Sequence, residues 1–584
     1  MPDAFRFVRR MRSSPAGVAV VLLVLSACAP LRDPASVART MRPLPTPATV
    51  SPGACNDLAA RFTFAGARIT GASLVPAGAF KQDAVMTPSP PHCLVTGVMN
   101  ERKSTVDGED YAIGFEMRLP LSWNGRFFYQ ANGGIDGVVQ PAAGRLLAGA
   151  PRDSALNRGF AVISSDAGHN GKQNPWFGLD PQARLDYGYN AVGTLTPMAK
   201  SLIRTVYGKA PDRSYIAGCS NGGRHAMVAA SRFADQYDGF LAGNPGFNLP
   251  KASMGQMFGA QQYAKVATAD GKGQPDLASA VTPAEFGLLS RRILERCDAL
   301  DGVADGLVGD TAACQKTFRL DRDVPVCQGE RNGQCLSVAQ VGVIGDVMRG
   351  PRNGKGEPIY ASFPFDPGIA GENWAFWEFV AAQRLDPGAA LIFLTPPADR
   401  RDFMATGGLR YALGVSMDTD APKIFATTPQ YPVSPMTFMA PPEATRLDAL
   451  RKNGGRMIVF HGTADPVFSF NDTAAWYEAL GANHRGRQDS FVRFFPVPGM
   501  NYCSGGPSVD QFDALDSLVK WVEEGTAPER ITASARGAGA NTVNKEVPPD
   551  WSATRTRPLC PYPTVVRHDG KGDKESAESF SCRR

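Results

Sequence analysis

The stretch "SYIAGCSNGGRHAMVAASRFADQY", residues 214–237, decides the fold. It opens on a short apolar run, "SYIA", of strand type. Gly218, Cys219, Ser220, Asn221 and Gly222 then spell G-x-S-x-G, and "RHAMVAASRFADQY" carries apolar residues at helical spacing. Strand, tight turn and helix in that order are the setting in which a serine is raised on a strained elbow. The glycines permit the turn. The helix start behind it favours developing negative charge. Ser220 is therefore the candidate nucleophile. A serine hydroxyl is weakly nucleophilic until a base takes its proton, so the reading requires a carboxylate and a base elsewhere in the chain.

The carboxylate is found in "RMIVFHGTADPVFS", residues 456–469, an apolar strand running into a turn. Asp465 lies just past the strand, although an aspartate before Pro466 also suits a plain turn. The next strand is "SFVRFFPV", residues 490–497, and it leads into "PGMNYCSGG", residues 498–506, where the base belongs. The order serine, aspartate, base is that of an α/β-hydrolase. The expected class is α/β, with the site at the carboxyl ends of the strands.

Composition sets the frame. The chain has 584 residues, 43% hydrophobic and 20% charged, enough for a large core. Its net charge of +5 is small for that length, and no basic-aromatic interleaving points to nucleic acid. Arg6, Arg9, Arg10 and Arg12 precede an apolar run, residues 18–25, too short to span a bilayer. The run ends in "LSAC", which resembles a bacterial lipoprotein signal with Cys28 lipidated; a plain secretory signal is the alternative. Either reading exports the chain, and residues 29–52, rich in Pro, Ala and Thr, read as a tether. Eleven cysteines less Cys28 leave ten, an even number that suits disulfides in an oxidising compartment. No CxxC pair or Cys/His cluster points to zinc. Spacing alone does not fix the pairing. Proximity suggests Cys297 with Cys314, Cys327 with Cys335, Cys560 with Cys582, and Cys55 with Cys93; Cys219 and Cys503 are left over.

With "GCSNGGR", "HGTADP" and "PGMNYCSGG" in this order, the chain resembles the tannase and feruloyl esterase family of α/β-hydrolases, which includes the mono(hydroxyethyl) terephthalate hydrolases. The resemblance spans roughly residues 50 to 565 and implies a serine carboxylic-ester hydrolase acting on small esters of aromatic acids. It further implies a disulfide between Cys219 and Cys503, tying the base to the nucleophile. "FYQANGGIDGVV", residues 128–139, resembles the family's oxyanion loop, so the N–H groups of Gly133 and Asn221 are expected to hold the oxyanion.

One position departs from the family pattern. The family has histidine immediately before the second cysteine; this chain has Tyr502. A phenol of pKa about 10 is ionised to roughly one part in a thousand at pH 7. It also has one oxygen where imidazole has two nitrogens, so it cannot pass a proton between Ser220 and Asp465. Loss of a triad member typically costs several orders of magnitude. None of the six histidines, His92, His169, His225, His461, His484 and His568, is expected to stand in.

The chain is thus expected to comprise residues 1–28 as signal, 53–246 with 446–584 as the catalytic domain, and 247–445 as an inserted lid, where simple strand–helix alternation is lost. The lid carries "CDALDGVADGLVGD", residues 297–310. Clustered carboxylates repel without a cation, and oxygen ligands suit calcium. The resemblance implies a structural calcium loop built from Asp298, Asp301 and Asp305 with the carbonyls of Val303 and Leu307; a solvated acidic turn is the alternative. Trp374, Trp377 and Phe379 could stack on an aromatic substrate or share a buried helix face. Arg400, Arg401 and Arg410 are candidates for gripping a carboxylate. Two functions follow: an exported esterase weakened by Tyr502, or a relative that binds aromatic esters or acids without turnover. Nothing favours a peptidase.

Overall fold

A nine-stranded sheet organises the molecule. Its strands are β1 (Ala67–Val75), β2 (His92–Lys103), β3 (Asp110–Pro120), β4 (Arg126–Gln130), β5 (Ala161–Ser165), β6 (Arg213–Cys219), β7 (Gly239–Gly243), β8 (Arg456–Gly462) and β9 (Val492–Val497). In space they run β9-β8-β7-β6-β4-β5-β3-β2-β1. Strands β4 to β9 pair in parallel; β1, β2 and β3 join antiparallel, and β3 meets β5 antiparallel. The computed structural model describes residues 42–82, 85, 87–145 and 153–584. The expected signal, Cys28 and residues 29–41 of the expected tether lie outside them.

Sequence explains the two halves of the sheet. All seven residues of β6 are buried, as a strand covered on both faces requires, whereas β2 alternates buried with part-exposed positions. On β4, Phe127 and Tyr129 enter one core and Phe128 the other, the period of two that a pleated strand imposes. The first core is closed by α1 (Ala191–Tyr207), α2 (Asn221–Arg232) and α4 (Phe470–Asn483); the second is closed by α5 (Ala514–Glu524), through Leu515, Leu518 and Trp521.

Between β7 and β8 the chain is mainly helical, beginning with α3 (Leu249–Ala264). Its helices start on local signals: Thr282 with Glu285, and Ser337 with Gln340, each form a reciprocal capping box. This segment builds its own apolar cluster, with Tyr263, Phe286, Leu289, Phe318, Ile344, Trp374 and Phe379, joined by Val467 and Phe468 from beyond β8. All of Pro43–Arg584 belongs to one compact unit.

The expected tether runs to residue 52, but from Pro43 on the chain is docked. Ala48–Thr49 pairs with Ser122–Trp123, the Thr46 N–H donates to Asp212, and Arg213 donates to the carbonyl of Pro43. Its Pro and Ala content, read as tether composition, equally suits a strapped extended segment. Among the described residues five disulfides are present: Cys55–Cys93, Cys219–Cys503, Cys297–Cys314, Cys327–Cys335 and Cys560–Cys582. Among the described residues no helix is long and apolar enough to cross a membrane.

Candidate active site

The carboxyl ends of the parallel strands bring the singled-out residues together. Ser220 follows β6 directly, with φ 67° and ψ −128°, a backbone conformation that L-residues rarely adopt. It is held there by its N–H donating to the carbonyl of Gly243 and by its own carbonyl accepting from Arg224 and Gly246. Gly218 and Gly222 have no substitute: a Cβ on either would stand 2.4 Å from the carbonyl oxygen of Ala131. The elbow therefore presses against the loop after β4, which carries Gly133.

Gly133 and Asn221 flank the serine. The Asn221 N–H opens α2, where no intrahelical acceptor is in reach. Among the described residues the Gly133 N–H has no backbone acceptor. Both are free to serve a ligand oxygen. A cleft of about 710 Å³ is lined by Gly133, Ser220, Trp377, Tyr502 and Cys503 together with Phe80, Lys81 and Arg145.

Asp465 follows β8 by three residues and is fully buried. Its Oδ1 accepts from the N–H groups of Val467 (2.8 Å) and Phe468 (3.0 Å). Its Oδ2 accepts from Asn244 Nδ2 at 2.7 Å, and the His461 Nε2 lies 3.2 Å away. Asn244, after β7, also donates to the carbonyl of Asn501 and so joins the acid loop to the loop after β9. Sequence reading missed Asn244; its positive φ of 36° beside Pro245 leaves no pattern in composition.

Tyr502 sits on that last loop. The Cys219–Cys503 bridge, with Cα atoms 6.1 Å apart, fastens the loop to the elbow. The loop also folds tightly on itself, since a Cβ on Gly499 would stand 2.3 Å from the carbonyl of Pro507. The Tyr502 ring packs edge-on against Trp377 at 5.0 Å and tilted against Phe468 at 5.7 Å. Among the described residues its hydroxyl makes no hydrogen bond to Asp465 or Ser220. Burial, then the negative charge of Asp465, pushes the phenol well above its ordinary pKa. It is a neutral aromatic surface.

All six histidines are occupied away from the serine. His461 bonds to Thr473, Asp465 and the carbonyl of Phe468; His169 bonds to the carbonyl of Ile135 and stacks on Phe177. His225 meets Asp136, His92 meets Pro90 and Arg118, His484 meets the carbonyl of Arg446, and His568 accepts from the N–H of Gly570. None lines the cleft. Trp374 is buried and Trp377 faces Tyr502, so the pair divides between core and site. Arg400 lies over the Trp176 ring, Arg410 donates to Gln274, and neither they nor Arg401 lines the cleft. Among the described residues the cations that do line it, Lys81 and Arg145, come from segments carrying no motif.

In the acidic loop, Asp298 accepts from the N–H groups of Asp305 and Gly306, and Asp301 from Val303 and Gly309. Asp305 accepts from Leu307 and is paired with Arg557, while Arg555 donates to its carbonyl. Burial, then the charge of Asp305, raises Asp301 to about 7. The oxygen donors suit a hard cation in kind, with Asp305 already paired to Arg557. Among the described residues no three acidic, histidine or cysteine side chains are gathered as a metal centre.

A strained serine elbow on a parallel sheet and an aspartate beyond the strand two positions along it define an α/β-hydrolase. The family model described as "Tannase and feruloyl esterase" matches residues 93–583, and the chain belongs to that family. It is 39% identical over 549 residues to the mono(2-hydroxyethyl) terephthalate hydrolase of Piscinibacter sakaiensis, covering 88% of each chain. It is 26% identical over 500 residues to the probable feruloyl esterase B-1 of Neosartorya fischeri, covering 80% of this chain and 82% of that one. Among solved structures, feruloyl esterase B from Aspergillus oryzae superposes with a TM-score of 0.69 at 23% identity, covering 91% of this chain and all of that one. The chain is a carboxylic ester hydrolase by family.

Proposed function

We propose that the chain is an exported serine esterase acting on esters of aromatic acids, with turnover held low by Tyr502 in the position of the family's histidine. The observation that carries this reading is Ser220 at φ 67°, in a cleft shared with Gly133 and Tyr502. Ser220 Oγ attacks the ester carbonyl, the oxyanion is received by the N–H groups of Gly133 and Asn221, and the alcohol leaves. Water then releases the acid from the acyl-serine. Tyr502, protonated and without a bond to Ser220 or Asp465, cannot take the serine proton at neutral pH. The relatives' names, a terephthalate monoester hydrolase and feruloyl esterases, and the Trp377–Tyr502 aromatic wall support aromatic acyl groups. Hydrolysis of p-nitrophenyl and aromatic methyl esters is the test. Replacement Ser220→Ala abolishes whatever turnover the chain has; turnover that survives it contradicts the reading.

A second reading, a binder of aromatic esters or acids without turnover, is favoured by the saturation of Asp465, whose oxygens already face Val467, Phe468, Asn244 and His461.

The segment 247–445 acts as a lid in this proposal, since Trp377 reaches from it to the cleft wall. Calcium bound by Asp298, Asp301 and Asp305 with the carbonyls of Val303 and Leu307 would neutralise the loop and do no chemistry. Added calcium then raises the melting temperature by several degrees over protein treated with EDTA. Equal melting in both, with no metal in the purified protein, overturns the assignment. Five disulfides support export. The proposed anchor is Cys28, and a mature amino terminus other than lipidated Cys28 contradicts it.

A further inference from the structure

Asp136 lies in the loop after β4, three residues beyond Gly133, with φ 51°. Its N–H donates to the carbonyl of Gly133 at 3.3 Å. Its side chain is 2% exposed, although the loop around it lines the cleft. One carboxylate oxygen, Oδ2, accepts from Asn221 Nδ2 at 2.8 Å and faces His225 Nε2 at 3.1 Å.

A buried cation closes the other side of the cluster. Arg224 is fully buried and, among the described residues, makes no ion pair with a carboxylate. Its guanidinium donates to Asn221 Oδ1 at 2.6 Å and to the carbonyls of Gly188, Tyr187 and Met439. It also lies 3.2 Å from both ring nitrogens of His225, Nδ1 and Nε2. A carboxylate can only accept, so at the 3.1 Å contact with Asp136 Oδ2 it is His225 Nε2 that carries the imidazole proton and donates. Burial and the Arg224 charge hold His225 neutral, which agrees with that tautomer. The Asn221 amide is likewise oriented, with its oxygen to Arg224 and its nitrogen to Asp136.

The carboxylate therefore bridges two elements. One is the loop presenting the Gly133 N–H; the other is the first turn of α2, presenting the Asn221 N–H. Their backbones are already so close that a Cβ on Gly222 would strike Ala131. An oxyanion site works only when its donors are held at fixed separation before charge develops. A buried carboxylate beside that site would by itself oppose an oxyanion; the buried Arg224, one side chain away, offsets it.

We infer that Asp136 is a positioning residue that clamps the two oxyanion donors, Gly133 N–H and Asn221 N–H, to one another through Asn221 and His225. The inference rests on the esterase reading of Ser220, because it assigns those N–H groups to an oxyanion. It does not depend on the base, so its test uses the Tyr502→His chain, where turnover is readable.

Asp136→Ala is compared with Asp136→Asn, which keeps an acceptor oxygen and the side-chain volume. Two readouts are taken: amide hydrogen exchange of residues 131–137, and kcat with KM on an aromatic methyl ester. The clamp predicts faster exchange in that loop for the alanine variant, about a hundredfold lower kcat and little change in KM, with the asparagine variant between it and the parent. If the alanine variant does not fold, the asparagine variant and His225→Gln carry the same comparison. Unchanged loop protection in the folded variants overturns the clamp, as does a fall confined to KM. A Tyr502→His parent that turns nothing over, while the Asp136 variants still loosen the loop, counts against the esterase reading and leaves the clamp standing.

Discussion

Tyr502→His raises kcat/KM on aromatic esters by two to four orders of magnitude, about 3–5 kcal/mol of transition-state stabilisation. The size follows from what is in place and what is not. Ser220 is on its strained elbow, the N–H groups of Gly133 and Asn221 are free, and Asp465 is buried at the end of β8. Residue 502 is brought to the serine by the bridge at its neighbour Cys503. The phenol there is pushed far from ionisation by burial and by Asp465, so it contributes no base. Imidazole in its place has a nitrogen for each neighbour. Asp465 keeps capacity for it, because a carboxylate oxygen can accept more than one hydrogen bond. The gain should appear in kcat and fall off below the histidine's pKa, near 6.5 in the unperturbed side chain. A variant that folds, binds an aromatic acid and shows no gain means that the cleft, and not the missing base, limits the chain.

Removing the Cys219–Cys503 bridge has the second large effect. It closes 284 residues of chain, and loop entropy alone assigns it about 6 kcal/mol. The double replacement Cys219→Ser with Cys503→Ser should therefore lower the melting temperature by many degrees. In the Tyr502→His background it should also remove most of the regained turnover at temperatures where the protein is still folded. The reason is positional: Gly499, Gly505 and Gly506 all have positive φ, as does Cys503, so the loop has the conformational latitude to leave the elbow once untied. Melting within a degree or two of the parent, with turnover kept, would mean that Asn244 and Asn501 hold the loop without sulfur.

The elbow was legible because every part of it is local: a β-type run, glycines at fixed offsets and a helical period all lie within residues 214–237. Strands β8 and β9 were legible for the same reason, and the chain order of Ser220 and Asp465 followed. What was not legible depends on distant partners. The "NGGIDG" segment offered Gly133 through resemblance, but nothing local distinguishes Asp136 from a turn aspartate; its meaning lies in Asn221 and His225, about ninety residues on. Asn244 is another such case, as its amide matters only once β7 and β8 are adjacent. Residues 43–52 read as tether because extended docked chain and linker share a composition. The arginines singled out in the inserted segment had only charge to recommend them, and charge does not say which wall of a cleft a helix faces.

The central claim is that Ser220 is a competent nucleophile lacking only its base. It is tested most directly by covalent labelling with an aromatic p-nitrophenyl phosphonate, read by mass spectrometry of the digested protein. The account predicts a single adduct, on the peptide bearing Ser220, formed rapidly in the Tyr502→His chain and at least a hundredfold more slowly in the Tyr502 chain. An adduct on another residue, or equal rates in the two chains, would contradict it.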